Sequence, residues 1–426
     1  MALQIKVCLN MIVRDEERNM EPCLDNVKHL IDAAVISDTG SIDKTKNVTA
    51  EWFESKKIPY LIVDHKWTDD FGINRTLALR TAEEYLREKC DNCVWYIMFM
   101  DADNRVYGDD PLGKSLLIEN PNSTEKSEQE VRETIKNNST TLKHTEFRKF
   151  TPDINYEGID INARRGKKFA YKILWMIKYD KEKKWIWKNR RHEYLCVDGD
   201  WKAKICLIPS GYLDSRGDGC RSQNPYVYVE DACAFLKDIK DKYEDGRSWF
   251  YLWQSLDGAG LSNIAAKVCK MSIQINKSPK ELYYSHVWLA KYWFNLAVPS
   301  DVKERKMVPL LSRAYELQPL MIEAQFYLIK IWQTRAKSKI AWAFCKQFID
   351  YKMPADALFA DPEIWEFKFL FECSLVAYYS GDMDNFVLLS TKVINNKKTD
   401  QSYKESAIRN LTLYAKPKIA TQDNVG

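Results

Sequence analysis

The chain has 426 residues, 45% hydrophobic and 13% aromatic, enough for a well-filled core and, by length, for two domains. With 64 basic and 60 acidic residues interspersed, the net charge is only +4, which argues against a dedicated nucleic-acid binder but leaves room for a local phosphate pocket. No run reaches the roughly 18 apolar residues of a membrane span, and Met1–Val7 enters a strand pattern without the basic, apolar and small-residue order of a signal peptide, so the expected setting is cytoplasmic.

The 11 cysteines are scattered and read as reduced, mostly buried thiols. Cys90 and Cys93 form one C-x-x-C with no second pair to complete a zinc site, which favours structural cysteines. The N-x-[ST] patterns that start at Asn47, Asn122, Asn137, Asn138 and Asn410 carry no weight without secretion.

In chain order, Ile5–Val13 predicts a first strand, followed by charged Arg14–Glu17 and a helix to about His29 with Met20, Leu24 and Val27 on one face. Ala33–Ser37 predicts a second strand. It ends in the run from Asp38 to Thr45, where Gly40 allows a tight turn and Ser41 or Asp43 suits the cap of a following helix. Tyr60–Val63 predicts a third strand and Asp70–Lys89 a third helix. Then come six apolar residues, Trp95–Met100, followed at once by Asp101-Ala102-Asp103. An uninterrupted apolar run of this length suits a strand buried on both faces. Strands alternating with helices predict a mainly parallel, Rossmann-like α/β sheet, whose ligands gather at the carboxyl ends of the strands.

Arg14 and Glu16, Asp38, and Asp101 with Asp103 all fall at such ends. Each alone also reads as a loop or capping charge; their repetition along one edge points to a site. Two carboxylates one residue apart suit a hard cation such as Mg²⁺ or Mn²⁺, which would neutralise a departing diphosphate. Neither G-x-G-x-x-G nor G-x-x-x-x-G-K-[ST] follows the first strand, which counts against a dinucleotide site, a phosphate loop or a nucleotidyltransferase.

Four blocks in this order, Asn10–Glu17, Asp38–Thr45, Trp67–Arg75 and Asp101–Asp103, resemble the family 2 glycosyltransferases of GT-A fold, in particular the subgroup that carries tetratricopeptide-like helices after the transferase domain. The resemblance implies a metal-dependent, inverting transfer of a hexose-type sugar from a nucleotide sugar, commonly a UDP-sugar. By it, Val13, Arg14, Glu16 and Asp38 would hold base and ribose. Asp101 would face the ribose or the metal, Asp103 would be the main ligand of Mn²⁺ or Mg²⁺, and Arg75 would face the donor phosphates, as guanidinium chemistry suits. Thr76 departs from the asparagine often found there.

Residues 109–165 are polar and irregular, with a short helix expected near Glu125–Lys136; a mobile acceptor-side loop and plain disorder both fit. Strand patterns return at Phe169–Ile177 and from Trp185 to Leu195. His192-Glu193 resembles a pair that this subgroup places after an aromatic strand. By that likeness Glu193 would be the base that takes the acceptor proton and His192 a further metal ligand or an orienting group. Asp180 and Asp198 are rival bases, and a strand-end ion pair of Glu193 with Arg190 or Arg191 is the structural alternative. Trp185 and Trp187 alternate, suited to sugar stacking or to core packing. Ile205–Tyr212 resembles the segment that closes the transferase domain, with Ser210 where the family commonly has a histidine.

The expected transferase domain spans residues 1–215 and an all-helical domain residues 216–426. In the latter, Leu252, Leu289 and Leu328 recur 37 and 39 residues apart, each followed by a second amphipathic helix such as Asn263–Ile275 or Ile340–Ile349. This matches irregular tetratricopeptide-like hairpins, a little longer than the usual unit of about 34 residues. The aromatic stripes read first as repeat core and His286 as a core or rim residue. A concave helical face would serve a protein or glycan acceptor, or a homodimer contact. The competing class is a non-catalytic interaction protein whose repeats bind a partner and whose transferase domain is vestigial.

Overall fold

The computed structural model describes residues 4–89, 93–108, 156–165, 169–354, 357 and 360–415. The expected helix near Glu125–Lys136, most of the polar insertion and Cys90 of the C-x-x-C lie outside them. Two compact units divide the chain, residues 1–242 and 243–426.

The first unit is built on an eight-stranded sheet of order β3-β2-β1-β4-β7-β6-β10-β5. Its first half is the expected parallel array: β1 (Gln4–Val13), β2 (Ala33–Asp38), β3 (Tyr60–Asp64) and β4 (Cys93–Phe99). These strands are apolar on both faces because helices cover both. Val7, Leu9, Met11, Ala34, Ile36, Tyr96 and Met98 pack with Met20, Leu24 and Val27 of α1 (Glu17–Val27) and with Trp52 and Phe53 of α2 (Thr45–Lys56). The alternate residues Cys8, Val35, Trp95, Ile97 and Phe99 pack with Leu79, Ala82 and Leu86 of α3 (Phe71–Glu88). Asn10 is buried among them and ties the sheet to α3 through its Nδ2 donating to the Ala78 carbonyl at 3.1 Å.

The other half is mixed. β7 (Phe169–Lys178) runs antiparallel to β4 and to β6 (Gly158–Arg165), while β10 (Ile205–Ser215) runs parallel to β6 and antiparallel to β5 (Asn104–Gly108). Two strands thus stand where none was expected. In β6 the signal is present, since Ile159, Ile161 and Ala163 alternate with polar residues and are buried. β8 (Lys184–Lys188) and β9 (Tyr194–Asp198) form a separate hairpin. A short 3₁₀ turn (Cys220–Gln223) and α4 (Val227–Asp241) complete the unit, so its boundary falls at Lys242 rather than near residue 215.

The second unit is helical: α5 (Gly246–Gly258), α6 (Ser262–Ile275), α7 (Pro279–Asn295), α8 (Ser300–Leu317), α9 (Glu323–Thr334), α10 (Ser338–Cys345), α11 (Phe369–Ser380), α12 (Met383–Asn395) and α13 (Gln401–Ala415). Successive helices pack on one another, and the recurring Leu252, Leu289 and Leu328 are all buried. The expected helix over Ile340–Ile349 is instead α10, which gives way to a 3₁₀ turn at Lys346–Phe348. Between α11 and α12, Gly381 takes the left-handed conformation at φ 88° and Asp382 caps the next helix by accepting from Asn385 N. Among the described residues no helix is long and apolar enough to cross a membrane.

Candidate active site

Parallel pairing sets Val13 opposite Asp38 and Asn10 opposite Phe99, so the loops after β1, β2 and β4 open on one sheet edge. The first two loops brace each other. Asp15 N donates to Ser41 Oγ (3.0 Å), Glu16 N to Thr45 Oγ1 (2.8 Å) and Ile42 N to Asp15 Oδ1 (2.8 Å). The Val13 carbonyl accepts from both the amide and the hydroxyl of Thr39. Asp38 is buried; its Oδ1 accepts from the amides of Gly40 and Ser41, both at 2.8 Å, and Gly40 meets this turn at φ 110°. Its Oδ2 is buried with no partner among the described residues. His65, which the sequence did not single out, donates its backbone N–H to the Asp38 carbonyl at 2.8 Å, and its Nδ1 is likewise buried without a partner among the described residues. Arg14 stays exposed beside Asp15 at 3.7 Å.

Asp101 and Asp103 stand just beyond β4. Asp103 Oδ2 accepts from Gly217 N (3.0 Å), and Glu16 accepts from Cys220 N (2.9 Å) and Asn19 Nδ2 (2.8 Å), so the segment after β10 is strapped to both carboxylates. A Cβ on Gly219 would come within 3.0 Å of Glu16 Oε1, so the strap lies close. Burial pushes the Asp103 carboxyl above its ordinary value and the charge of Asp101 adds to it, against the Gly217 amide. Burial also raises Glu16, against its hydrogen bonds, with smaller contributions from Asp103 and Asp101.

The third block starts α3. Asp70 caps it by accepting from Ile73 N at 2.9 Å, and the first turn lies on residues 187–190: Phe71 N donates to the Arg190 carbonyl (3.0 Å) and Gly72 N to that of Asn189 (3.2 Å). A Cβ at Gly72 would meet the Asn189 carbonyl oxygen at 2.7 Å, so only glycine allows this approach. Thr76 holds the same strand by accepting from Trp187 N (3.0 Å) and donating to its carbonyl (3.3 Å).

Arg75 is thereby carried onto the Trp187 ring, 5.2 Å from its centroid. Its Nε donates to Glu193 Oε1 at 2.8 Å and its Nη2 to Asp101 Oδ1 at 2.7 Å. Burial opposes this charge, but the two carboxylates outweigh it and hold the guanidinium firmly protonated. Glu193 therefore pairs with Arg75 and not with its sequence neighbours. Arg190 goes to Asp238 (2.8 Å) and Arg191 to Asp69 (2.7 Å) and Asp231 (3.2 Å).

The rival base Asp180 accepts from Glu182 N within a turn, and Asp198 pairs in register with Lys184 on the outer hairpin. Trp185 is buried against Trp201, and Trp187 lies beneath Arg75, which assigns both rings to packing. His192 is exposed at φ 49° and stacks on Phe235 of α4, 5.9 Å between centroids. Among the described residues no three His, Cys, Asp or Glu side chains gather as a metal cage, so His192 is not brought into one with Asp101 and Asp103. The side chain of Ser210 lies outside the described residues.

Residues 8–113 match the model of the family described as glycosyl transferase family 2. The chain carries a family 2 glycosyl transferase domain. All four sequence blocks fall inside this match, whereas Glu193 lies beyond it. A TPR repeat-containing protein of Synechococcus elongatus is 35% identical over 105 residues, which are 25% of this chain and 22% of that protein, so the chain spans about a fifth of that relative's length. Among solved structures, a thermophilic TPR protein of Thermus thermophilus overlaps 44% of this chain and 91% of its own at 14% identity and a TM-score of 0.31. TarS of S. aureus in complex with UDP overlaps 94% and 92% at 14% identity and a TM-score of 0.23. Structural overlaps this loose say nothing about the chemistry of the site.

Proposed function

We propose that the chain transfers a sugar from a nucleotide sugar, with UDP as the favoured nucleotide, by direct displacement with inversion. The observation that carries this reading is the convergence of the candidate base Glu193 and the strand-end carboxylate Asp101 on the guanidinium of Arg75, at the sheet edge where β2 also ends in Asp38. Asp38 Oδ2, buried and unpartnered, is an acceptor suited to an N–H on the edge of a nucleobase such as uracil. Arg14, Glu16 and Val13 lie at the end of β1, next to the Asp38 turn that braces it.

Glu193 Oε1 is held by Arg75, while Oε2 takes no hydrogen bond among the described residues. The acceptor hydroxyl gives its proton to Oε2 as its oxygen attacks the anomeric carbon, and the bond from that carbon to the diphosphate oxygen breaks. Asp101 and Asp103 supply hard carboxylate oxygens that suit a divalent cation, and since no third such side chain joins them among the described residues, the ion would take its remaining ligands from phosphate and water. Asp101 and Asp103 would hold Mn²⁺ or Mg²⁺, which supplies charge neutralisation to the leaving diphosphate when bound. The helical unit is assigned to the acceptor, a protein or glycan, or to a homodimer contact.

A thermal-shift panel of UDP-, GDP- and CMP-sugars, with and without Mn²⁺, on the native chain and Asp103→Ala tests this. Stabilisation by UDP-sugars that needs the metal and disappears in the variant is expected, because a ligand of the folded state raises the melting temperature by mass action. A flat panel would leave an interaction protein with a vestigial transferase domain.

A further inference from the structure

Arg75 is asked to do more than neutralise phosphate. Two of its five N–H bonds are committed, Nε to Glu193 and Nη2 to Asp101, and these two nitrogens form the side edge of the guanidinium. Nη1 takes no partner among the described residues, and the Arg75 side chain keeps 12% of its surface exposed. The guanidinium lies over the Trp187 ring, 5.2 Å from its centroid, and Thr76 holds the backbone of Trp187 at both its N–H and its carbonyl. Asp101 belongs to the end of β4, Glu193 to the turn before β9, and they lie 92 positions apart in the chain. Beyond the α3–β8 packing that brings these segments together, the rigid fork sets one carboxylate against the other.

We propose that Arg75 is a positioning residue that places the candidate base Glu193 relative to the donor through its side edge, while its free Nη1 end receives the donor diphosphate. This rests on the glycosyl-transfer reading above and deepens it. One side chain then sets the distance between the base that accepts the proton and the donor whose anomeric carbon is attacked. Lysine cannot replace it, because an ammonium is a point donor with no planar edge on which to hold two carboxylates side by side. The donor's arrival does not require the Glu193 contact to break, since the diphosphate uses N–H bonds that are still unspent.

The test is a double-mutant cycle on the full chain with Arg75→Lys, Glu193→Gln and the double variant. It reads kcat and KM for UDP release from a UDP-sugar, UDP affinity by calorimetry, and the melting temperature. Arg75→Lys is expected to lower kcat by about 100-fold, since loss of aligned geometry has effects of that order. The double variant should be scarcely slower than Glu193→Gln alone, because residues that act as a unit are not additive. UDP affinity should weaken by the same factor in Arg75→Lys whether or not Glu193 is present. Losses in kcat that multiply would overturn the proposal, as would a loss confined to KM, since Arg75 would then only bind phosphate.

Should Arg75→Lys fail to fold, Glu193→Asp keeps the carboxylate and withdraws it by one methylene. It should lose at least about tenfold in kcat with the melting temperature kept. Native turnover in that variant overturns the proposal. A native chain that neither binds UDP nor releases it from UDP-sugars removes the transfer reading and this role with it. An active native chain with a multiplicative cycle removes only the role.

Discussion

Asp38 in the transferase unit and Glu323 in the helical unit are buried almost equally, at 1% and 4% exposure, yet their surroundings are opposite. Glu323 accepts from Tyr283 Oη (2.8 Å), Trp365 Nε1 (2.8 Å) and Asp361 N (3.2 Å), so both oxygens are used by its own unit. Asp38 spends one oxygen on its turn and leaves the other buried with nothing to accept from among the described residues. A buried acceptor without a donor is unfavourable, and a donor from a ligand is one way to complete it. Burial alone does not tell these two carboxylates apart; the unspent oxygen does.

The sharpest way to break this contrast is to substitute each residue and measure both fold and binding. Glu323→Ala strands three buried donors. At about 1 kcal/mol or more each, it should destabilise the helical unit by roughly 3 kcal/mol in chemical denaturation while UDP affinity stays unchanged. The same carboxyl gives a pH signature. Burial raises it above its ordinary value of 4.5, against its hydrogen bonds. The folded chain therefore holds a proton that the unfolded chain releases. This contribution is full below 4.5 and is lost as pH rises through the window up to the raised value. Glu323→Gln should flatten that part of the stability–pH curve; an unchanged slope would mean that another group produces it.

Asp38→Asn is the reciprocal change. Its oxygen can still accept from Gly40 and Ser41, while a donor replaces the free acceptor. The melting temperature should hardly move, and UDP affinity should fall by about 10- to 100-fold, the value of one hydrogen bond to a charged group. If Asp38→Asn instead unfolds the unit and leaves UDP binding intact, unspent oxygens do not mark ligands in this chain.

A third prediction concerns how the two sides of the site are brought together. Gly72→Ala places a methyl 2.7 Å from the Asn189 carbonyl, a backbone atom with no rotamer to escape into. It should cost about 1–3 kcal/mol in stability and also lower kcat, because the strain falls on the junction that carries Arg75 and Glu193. A drop in melting temperature with kcat intact would uncouple that junction from the chemistry.

The Asp38 and Asp101 side of this edge is legible in the sequence because each part of its signal is local. An apolar run ends in Asp101-Ala102-Asp103, and the runs that end at Val13 and Asp38 belong to parallel neighbours, so strand order alone gathers their ends. The Glu193 side is legible only in its residue types. Glu193 follows two arginines that look like its partners, yet both are drawn off by Asp69, Asp231 and Asp238, and the residue that takes it lies 118 positions earlier. Charge is written in the sequence, but the choice among several opposite charges is made by packing, here by Gly72 and Thr76. β6 is hidden for a different reason. Its alternation of Ile159, Ile161 and Ala163 is sound, but it ends a long polar stretch and reads as part of it. Helix periodicity in the second unit carries further, since each helix needs only its neighbours to bury its stripe.

The smallest expected effect falls at Thr76, where the chain departs from the asparagine often found after this arginine. Its hydroxyl both accepts from Trp187 N and donates to the Trp187 carbonyl, so one short side chain closes two backbone bonds of an outer hairpin strand. Thr76→Val keeps the shape and removes both. Because the strand is partly exposed, water replaces much of what is lost, and the stability change should be about 1 kcal/mol. Binding of UDP should not change, since neither Asp38 nor its turn is touched. What should change is kcat, by a few-fold, because Trp187 is the platform of Arg75 and a freer platform loosens the fork against Glu193. Thr76→Ser, which keeps the hydroxyl, should restore it. If Thr76→Ser and Thr76→Val are equally slow, the methyl and not the hydroxyl holds the strand, and the hydrogen bonds to Trp187 do not transmit position to the base.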